Sequence, residues 1–388
     1  MNFNKIKAIL SSDISSLKEI KKTPKKIKIN LNSKPITTKN VVSIDVGTNK
    51  IKLVVGKYVK DKLLIDKLLM IDTPEGAIGD GNIFNSLLLS KSIESALSLS
   101  DIKVKDMSIT SNSTAIINRE IIVPAATEDE LETLIKYEIQ QYLPINMDDY
   151  IVQYNILEEL NESNIVKYRV LVVTYPNKIA KQYYELVNNI KLKPNTLDVT
   201  FNSIKKLINS IKDVNGTEFN IGDTSAFIDM GADTLNVNIY SSGQMDFTRI
   251  IKSGGSLIDK EISRRLKIAL TDAEKRKVEL CDMNYEGFSE ETEAYMINTI
   301  ISAVADEWIE ELGRIIQFYK NKKIGNRIDK IYIYGGCSNL KGIDKYLSNK
   351  LNISVHNIES LGNVEFSSTA DTSDLKRYLN AIGTIIRF

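Results

Sequence analysis

The stretch Asp45-Val46-Gly47-Thr48-Asn49-Lys50-Ile51-Lys52 follows a short apolar run and largely decides how the chain folds. A buried strand places the Asp45 carboxylate at its end, and the glycine permits a turn tight enough for backbone amides to face an anion. The next residues alternate between apolar and polar, which is typical of a returning strand. A single turn of this type is also compatible with an ordinary Asx turn. The segment alone therefore leaves a phosphate-binding hairpin and a plain turn as alternatives.

The same pattern occurs again as Asp229-Met230-Gly231-Ala232-Asp233-Thr234-Leu235, after another apolar run. Two copies in one chain favour two related lobes that hold a nucleotide phosphate chain between them, and they argue against two unrelated turns. In the first hairpin, Asp45 is a candidate to hold Mg²⁺ through water, because Mg²⁺ is commonly bound by one or two carboxylates together with phosphates. Thr48 and Asn49 offer hydrogen-bond donors to phosphate oxygens.

A glycine pair follows a later strand-like run. Gly335 and Gly336 come directly after residues 331–334 and precede a helix predicted from Leu340. Glycines at this point let the backbone lie against a flat ring or a ribose, and a helix start supplies further N–H groups. A tight strand-to-helix turn without a ligand is the alternative interpretation.

A second glycine pair, Gly254 and Gly255, precedes a helical segment that contains Glu274 and Lys277. Their spacing of three residues places these two side chains on one helix face. They are candidates for the same nucleotide site, and the alternative is a surface ion pair that contributes little to stability.

Composition excludes several classes of protein. The chain has 388 residues, with 51 basic against 50 acidic residues and a net charge of +1, which argues against a nucleic-acid partner. Neither a G-x-x-x-x-G-K-[ST] loop nor a G-x-G-x-x-G after a first strand is present, so P-loop enzymes and Rossmann dehydrogenases are disfavoured. His356 is the only histidine, and the spacing of Cys281 and Cys337 fits no metal or redox motif. Histidine-based catalysis and cysteine metal sites therefore lack support.

The sequence also lacks an apolar run of membrane-spanning length and the pattern of a signal peptide. We expect a soluble, cytoplasmic protein. The length favours two domains, and the pattern divides the chain into a basic flexible arm (1–40), a first lobe (41–215) and a second lobe (216–388). Within the first lobe, an α+β subdomain at about 114–190 interrupts the order of strands and helices.

The arm is rich in lysine and poor in large apolar residues, which is typical of a solvated leader. Attraction to anionic lipid head groups or to an acidic face of a partner is the functional alternative. Beyond the arm, Thr127 with Glu130 predicts a capped helix that ends where Pro144 stops it.

Taken in this order, the two hairpins and the two glycine pairs resemble the actin/Hsp70-like ATPase superfamily over residues 41–388. Within it, the chain is similar to the PilM family of type IV pilus assembly proteins, which is related to FtsA. The acidic helix from Glu128 to Pro144, Arg249 before Gly254-Gly255, the pair Gly313-Arg314 and the ending 380–387 carry this likeness. The resemblance implies an α/β, RNase H-like fold of two lobes with an inserted α+β subdomain in the first lobe.

The resemblance also implies ATP and Mg²⁺ as cofactors and assigns residues to them. Phosphate binding would fall to Asp45, Gly47, Thr48, Asn49 and Lys52 on one side, and to Asp229, Gly231, Thr234, Gly254 and Gly255 on the other. The adenosine would be lined by Glu274, Lys277, Gly335, Gly336 and Leu340. Mg²⁺ would be held through water by Asp45 and Asp229, and Asp198 would lie near the nucleotide as the one candidate for a catalytic role.

For function, the resemblance implies an actin-like scaffold of the inner-membrane assembly platform of a type IV pilus or a related secretion system. The cytoplasmic N-terminal tail of a PilN-like membrane protein would recruit it to the inner face of the plasma membrane, next to other platform components. A homo-oligomer is a further candidate arrangement. An extended peptide can add along an exposed edge or groove. The candidates for such a groove are Tyr137, Glu138, Tyr142 and Pro144, for which core packing or a helix stop is the alternative. The segment Lys28-Ile29-Asn30-Leu31 is similar to the core of such tails and is a candidate to occupy the same groove in cis.

Two other functions remain open at this stage. The first is an enzyme on the same fold, an ATPase or a sugar-type kinase. The sequence identifies no group that would activate water, so we expect weak or absent hydrolysis. The second is an FtsA-like cell-division protein, for which one expects a C-terminal amphipathic membrane helix that the sequence up to Phe388 does not show.

Overall fold

In the computed structural model, the described residues are 39–142, 146–162, 165–284, 287, 289–367 and 374–387. Most of the basic arm and Pro144 therefore lie outside the described residues. Two large sheets, one small sheet and nine α-helices make up the described part of the chain. Within it, no helix combines the length and apolar composition required to cross a bilayer.

The first large sheet has six strands and begins with the predicted meander. Strands β1 (Val41–Val46), β2 (Lys50–Val59) and β3 (Lys62–Asp72) are antiparallel neighbours, while β6 (Asp106–Ser111) and β10 (Lys193–Val199) add parallel strands beyond β1. The short β4 (Ile78–Gly79) and β5 (Asn82–Ile83) form a hairpin of their own. Six residues of β1 are buried without interruption, because helices or strands cover both faces of this central strand.

The second large sheet repeats this topology. Its antiparallel meander consists of β13 (Thr224–Met230), β14 (Leu235–Ser241) and β15 (Gln244–Ile251), and β16 (Lys330–Tyr334) with β17 (Val355–Asn357) adds the parallel strands beyond β13. Each sheet therefore places the hairpin that carries an aspartate and a glycine next to a parallel strand. This repeat confirms the two related units that the sequence predicts.

A small antiparallel sheet interrupts the first large sheet between β6 and β10. It is ordered β7 (Ile117–Pro124), β9 (Ile165–Pro176) and β8 (Tyr150–Glu162), and helix α2 (Glu128–Tyr142) packs on it through a core of its own. The Glu130 carboxylate accepts from the Thr127 backbone N–H at 3.1 Å and from the Thr127 hydroxyl at 2.8 Å, so the carboxylate contact of the predicted cap is present. The inserted α+β unit of the first lobe is thus confirmed.

Two helices lie between the large sheets. Helix α4 (Thr200–Ile208) follows β10, and α9 (Leu379–Ile385) packs against it and against β1, β2 and β6. The core of the first sheet continues through these helices to Phe227, Tyr240 and Tyr334 of the second sheet. The two sheets are consequently joined by one continuous apolar interior.

The other helices cover the outer faces of the sheets. Helices α1 (Ser86–Leu99) and α3 (Asn177–Asn189) pack near the first sheet, and α5 (Gly255–Leu266), α6 (Leu270–Leu280), α7 (Glu293–Lys322) and α8 (Ile343–Leu351) belong to the second. Three 3₁₀ helices lie at Met147–Asp149, Gly336–Asn339 and Leu375–Arg377, and the remaining strands are β11 (Asp213–Val214), β12 (Thr217–Glu218) and β18 (Val364–Phe366).

The end of the chain returns to the first sheet. Strand β18 pairs in parallel with β3, and α9 lies against the strands that begin the fold. Residues beyond 216 therefore contribute to both sheets, and the domain boundaries given above remain predictions.

Candidate functional site

Both hairpins close in the same way. The N–H of Gly47 donates to the carbonyl of Lys50 at 3.2 Å, and the N–H of Gly231 donates to the carbonyl of Thr234 at 3.0 Å. A Cβ on the first glycine would lie 2.8 Å from the Lys50 oxygen, and a Cβ on the second would lie 2.9 Å from the Thr234 oxygen. Any larger residue would push the two sides of the turn apart, so each position requires glycine.

Neighbouring residues occupy the carbonyl groups of the first loop. The Thr73 hydroxyl donates to the carbonyl of Gly47 at 2.7 Å, and the Thr73 N–H donates to the carbonyl of Asn49 at 2.9 Å. This residue at the end of β3 thereby fixes the orientation of the loop's peptide groups.

At the second loop, backbone N–H groups at the start of α5 occupy the carbonyl groups. The N–H groups of Gly255 and Ser256 donate to the carbonyls of Gly231 and Ala232 at 3.1 and 2.8 Å. A Cβ on Gly254 would overlap the Ala232 carbonyl oxygen. The glycine pair therefore serves to pack the helix start against the hairpin, and the first amides of α5 are already in use.

With the carbonyls engaged, the loops present amide groups to the space between the sheets. Four loop N–H groups donate to no acceptor among the described residues, those of Thr48, Asn49, Ala232 and Asp233. Successive free N–H groups in a turn form a concave surface that binds anions. The arrangement fits the phosphate interpretation of both hairpins.

The carboxylates of the two hairpins meet at a single amide. Asn380, at the start of α9, donates from Nδ2 to Asp229 Oδ2 at 2.8 Å, and the same nitrogen lies 3.5 Å from Asp45 Oδ2. On the other side, Lys52 Nζ lies 3.4 Å from Asp45 Oδ2. One lysine and one neutral amide therefore balance two acidic groups from different sheets.

This environment changes the acidity of Asp229. Burial, and after it the charge on Asp45, raises the pKa of this carboxyl to about 6. The charge of Lys52 and hydrogen bonds from Asn380 and Asn236 act in the opposite direction. The charge of Asp229 consequently changes near pH 6.

Two nearby carboxylates that share one donor suit a single Mg²⁺ held through water, since Mg²⁺ is usually bound by one or two carboxylates plus phosphate oxygens. Within the described residues there is no cluster of three or more histidine, cysteine or acidic side chains that would hold a metal ion by itself. The phosphates of a ligand would have to complete the coordination.

The hairpins open into a cavity of about 800 Å³ between the sheets. Its charged lining is mixed, with an excess of acidic groups. The acidic side chains are Asp45, Asp80, Asp229, Asp233, Asp259, Glu274, Glu279 and Asp282. The basic side chains are Lys50, Lys52, Lys252, Lys277, Lys341 and Arg377.

The structure brings almost all predicted nucleotide residues into this cavity. Those that line it are Asp45, Gly47, Thr48, Asn49, Lys52, Asp229, Gly231, Thr234, Gly255, Glu274, Lys277, Gly335, Gly336 and Leu340. Gly254 does not line it, because this residue faces the hairpin carbonyls. Asp198 also lies elsewhere and is buried beside Lys206, with Oδ2 2.8 Å from Lys206 Nζ.

The predicted glycine pair Gly335 and Gly336 lines the cavity next to the second hairpin. Gly335 has φ +91, a left-handed conformation, and a Cβ there would overlap Asp229 Oδ1. Its N–H donates to the Lys376 carbonyl at 3.1 Å. Helix α8 starts at Ile343, later than expected, because a 3₁₀ turn follows Gly335.

The Lys277 side chain pairs with a residue that the sequence did not single out. Its Nζ lies 2.7 Å from Asp259 Oδ1, and both groups are largely buried. Burial raises the pKa of Asp259, and the charge of Lys277 lowers it. Glu274 lies one turn earlier on the same helix and reaches the cavity separately.

The sequence did not point to Asn380, Asp259 or the pair Asn112 and Asn236. Asn112 Nδ2 donates to Asn236 Oδ1 at 2.7 Å and so links the loop after β6 to β14 across the cavity. The ending that begins at Asn380 was noted only as part of the family likeness. No local pattern relates Asn380 to Asp229, which lies 151 positions away, or Asn112 to Asn236, which lies 124 positions away.

The candidates for the peptide groove lie far from this cavity, on α2. Tyr137 and Tyr142 are 64% and 51% exposed, and the Arg119 guanidinium lies 4.3 Å from the ring centre of Tyr142. Glu138 is half-buried. These side chains point away from the core that α2 forms with the small sheet.

Comparison with known proteins places the fold. The PilM-PilN type IV pilus biogenesis complex contains a chain that superposes with a TM-score of 0.75 at 19% identity, covering 89% of this chain and 97% of that chain. MreB5 of Spiroplasma citri, solved with ADP, superposes with a TM-score of 0.50 at 14% identity over 89% of this chain and 95% of its own. The predicted actin-like fold is thereby confirmed.

At the level of sequence, the cell division protein FtsA of Neisseria meningitidis serogroup B (strain ATCC BAA-335 / MC58) is 22% identical over 379 residues, which cover 88% of each chain. A family model described as type IV pilus assembly protein PilM matches residues 43–387. Because this match extends over both large sheets and the inserted unit, the chain belongs to the PilM family of type IV pilus assembly proteins.

Proposed function

We propose that this protein is a nucleotide-gated scaffold of a type IV pilus assembly platform, with ATP and Mg²⁺ bound between the two sheets. The observation that carries the proposal is the pair of hairpins whose free amides and carboxylates face one cavity. By touching both hairpins, a phosphate chain would favour the arrangement in which the sheets are close together.

The charge of the cavity supports a nucleotide that arrives with its cation. A free triphosphate would meet more acidic than basic side chains, whereas Mg²⁺ offsets the charge of both the phosphates and the hairpin carboxylates. Asp45 and Asp229 are the residues that would hold Mg²⁺ through water, and the ion would neutralise phosphate charge. The buried pair Asp259 and Lys277 would border the nucleoside end of the cavity.

A scaffold is favoured over an enzyme because the cavity offers little to activate a water molecule. Its described lining contains neither glutamine nor histidine, and the one predicted catalytic candidate, Asp198, is engaged with Lys206 elsewhere. We expect turnover of ATP to be slow or absent. A kinase or fast ATPase on this fold is the competing function.

The expected partner is the cytoplasmic N-terminal tail of a PilN-like membrane protein, which would bring the scaffold to the inner face of the plasma membrane. The likeness to a chain of the PilM-PilN complex over 89% of this chain supports this assignment. Tyr137 and Tyr142 support it as well, because large aromatic groups that remain exposed on α2 offer apolar contact area to an extended peptide. Glu138 also belongs to the proposed groove, whereas Pro144, the fourth candidate from the sequence, lies outside the described residues.

Nucleotide binding is tested with a fluorescent ATP analogue and Mg²⁺ on the wild type and on Asp229→Ala. We expect saturable binding by the wild type and a loss of at least tenfold in the variant. Arg314→Ala is the matched control, because this side chain is exposed and pairs only with acidic residues of its own helix. Equal binding by all three proteins would contradict the proposed site.

Peptide binding is tested with a synthetic PilN-type N-terminal peptide on the wild type and on Tyr137→Ala with Tyr142→Ala. Phe318→Ala is the control, since Phe318 is similarly exposed but lies on α7 of the second sheet. Weaker binding that is confined to the α2 variant would support the groove. Deletion of residues 1–40 in the same assay shows whether the arm competes for it.

A further inference from the structure

Asn380 lies where the two hairpin carboxylates, those of Asp45 and Asp229, come within reach of one neutral side chain. Its Nδ2 donates to Asp229 Oδ2 at 2.8 Å and lies 3.5 Å from Asp45 Oδ2. The residue is buried and belongs to α9, which packs against the first sheet and against α4. It therefore connects the helix between the sheets to both phosphate hairpins at once.

The chemical nature of this side chain matters as much as its position. Two carboxylates at such a spacing repel each other, and a buried donor that satisfies both lowers the cost. A lysine would do so with a fixed charge that a divalent cation would have to displace. An aspartate would add a third negative charge. An amide supplies two N–H donors without charge, so it adds nothing to the positive charge of Lys52 that a cation between the carboxylates would meet.

The amide is held in the orientation that directs its N–H groups to the carboxylates. The Tyr334 hydroxyl donates to Asn380 Oδ1 at 3.1 Å, so the amide oxygen faces the tyrosine and the nitrogen faces the aspartates. Burial raises the pKa of Tyr334 well above its ordinary value, and this hydroxyl therefore stays a donor. Asn380 Oδ1 is committed to the second sheet while its nitrogen reaches both hairpins.

We propose that Asn380 is a positioning residue that bridges Asp45 and Asp229 and keeps the two phosphate hairpins at the spacing at which a divalent cation bound to a nucleotide fits between them. Tyr334 would act behind it by fixing the amide. This inference rests on the proposed function as far as the ligand is concerned, whereas the bridge itself does not depend on nucleotide.

The first experiment compares the affinity for a fluorescent ATP analogue with Mg²⁺ and with EDTA. Asn380→Ala is expected to weaken binding with Mg²⁺ about tenfold and binding in EDTA less than twofold, so that the benefit of Mg²⁺ shrinks. Asn380→Asp is expected to weaken binding in EDTA most, because of the added negative charge, so that the benefit of Mg²⁺ grows. The ratio of the affinity with Mg²⁺ to the affinity in EDTA should therefore fall in Asn380→Ala and rise in Asn380→Asp. If Asn380 only packed α9, the two substitutions would not change this ratio in opposite directions.

Tyr332, which lies on the same strand as Tyr334, provides a matched control. Tyr334→Phe frees the amide to turn and should change the Mg²⁺ benefit in the same direction as Asn380→Ala, by two- to fivefold. Tyr332→Phe removes the hydroxyl of a tyrosine two residues away whose ring stacks on Phe227, and it should leave the ratio unchanged. Equal losses with Mg²⁺ and EDTA in all Asn380 variants would overturn the proposal.

A nucleotide-independent measurement separates this inference from the proposed function. Thermal unfolding of Asn380→Ala, Asp229→Ala and the double variant forms a double-mutant cycle, and so does the corresponding set with Asp45→Ala. If the bridge exists, the shift in unfolding temperature of each double variant should differ by several degrees from the sum of the shifts of its two single variants, in both cycles. Additive shifts in both would overturn the bridge. If the wild type bound no nucleotide but the cycles were non-additive, the proposed function would fail and the bridge would stand.

Discussion

At the residue scale, the ionisation of Asp229 links the fold to its proposed ligand. Burial and the charge of Asp45 raise the pKa of this carboxyl to about 6 from an ordinary value of 3.8. The folded state therefore binds a proton that the unfolded state has lost between these two values. Stability falls as the pH rises through this window, by about 3 kcal/mol for a shift of two pKa units.

We predict that Asp229→Asn abolishes this fall in stability with rising pH. The free energy of unfolding of the wild type should fall between pH 4 and pH 6 relative to that of the variant, as measured by urea denaturation across this range. Comparing the two proteins removes the contributions of other titrating groups. A difference between them that stays constant from pH 4 to pH 7 would contradict the assigned environment of Asp229.

The same group predicts the pH dependence of ligand binding. A cation between the hairpins favours the charged carboxylate, so Mg²⁺-nucleotide binding should strengthen from pH 5 to pH 7 and release a proton near pH 6. Calorimetry in buffers of different ionisation enthalpy measures this release. Absence of proton release in the wild type would argue against a cation next to Asp229.

Gly335 gives a steric prediction at the same site. Its φ of +91 is unfavourable for other residues, and a Cβ would overlap Asp229 Oδ1. Gly335→Ala should therefore lower stability by about 1–3 kcal/mol and displace the carboxylate. Gly325→Ala is the control, because Gly325 has a φ of +90, its Cβ would meet no atom within 4 Å and it does not line the cavity, so this variant should retain nucleotide binding. Similar binding by both variants would contradict a rigid Asp229 position.

At the scale of elements, the crossing of α4 and α9 depends on a glycine. A Cβ on Gly383 would overlap the Ser203 carbonyl oxygen, so the two helix backbones touch at this point. Gly313, in the middle of α7, has no atom within 4 Å of the position of a Cβ. A side chain at Gly383 would therefore meet a tightly packed helix, whereas a side chain at Gly313 would meet open space.

We predict opposite signs for the two alanine substitutions. Gly383→Ala should destabilise the fold by about 1–3 kcal/mol through overpacking, and Gly313→Ala should be neutral or stabilise it by up to about 1 kcal/mol through helix propensity. Chemical denaturation of both variants provides the test. Stabilisation by Gly383→Ala would show that the helices do not meet as closely as described.

Local pattern was sufficient to predict most elements. The strands that return after each hairpin, the helix that contains Glu274 and Lys277 and the helix that begins after Thr127 follow from alternation, residue spacing and short-range hydrogen bonds. The hairpin aspartates and glycines were recognisable for the same reason, because turn, carboxylate and returning strand lie within eight residues.

Long-range contacts were not predictable in this way. Asn380 acts on Asp45 across 335 positions, and Asp259 finds Lys277 only once α5 and α6 are packed together. Gly254 was assigned to a ligand, although the hairpin carbonyls of the same chain are its neighbours. Such relations depend on tertiary packing, and neither spacing nor composition of a single segment encodes them.

At the scale of the whole molecule, α4 and α9 connect two similar sheets. The cavity lies between these sheets, whereas the small sheet and α2 form a unit inserted into the first sheet's part of the chain. The nucleotide and the peptide would therefore bind at separate places on one framework. Coupling between them requires that each ligand favours the same arrangement of the sheets. By linkage, the effect of nucleotide on peptide affinity must equal the effect of peptide on nucleotide affinity.

The most direct test is the affinity for a fluorescent ATP analogue with Mg²⁺, measured with and without the PilN-type peptide, on the wild type and on Asp229→Ala. A nucleotide-gated scaffold predicts mutual strengthening of about 5- to 100-fold in the wild type and its loss in the variant. Peptide binding of the wild type that is the same with and without Mg²⁺-nucleotide would contradict it.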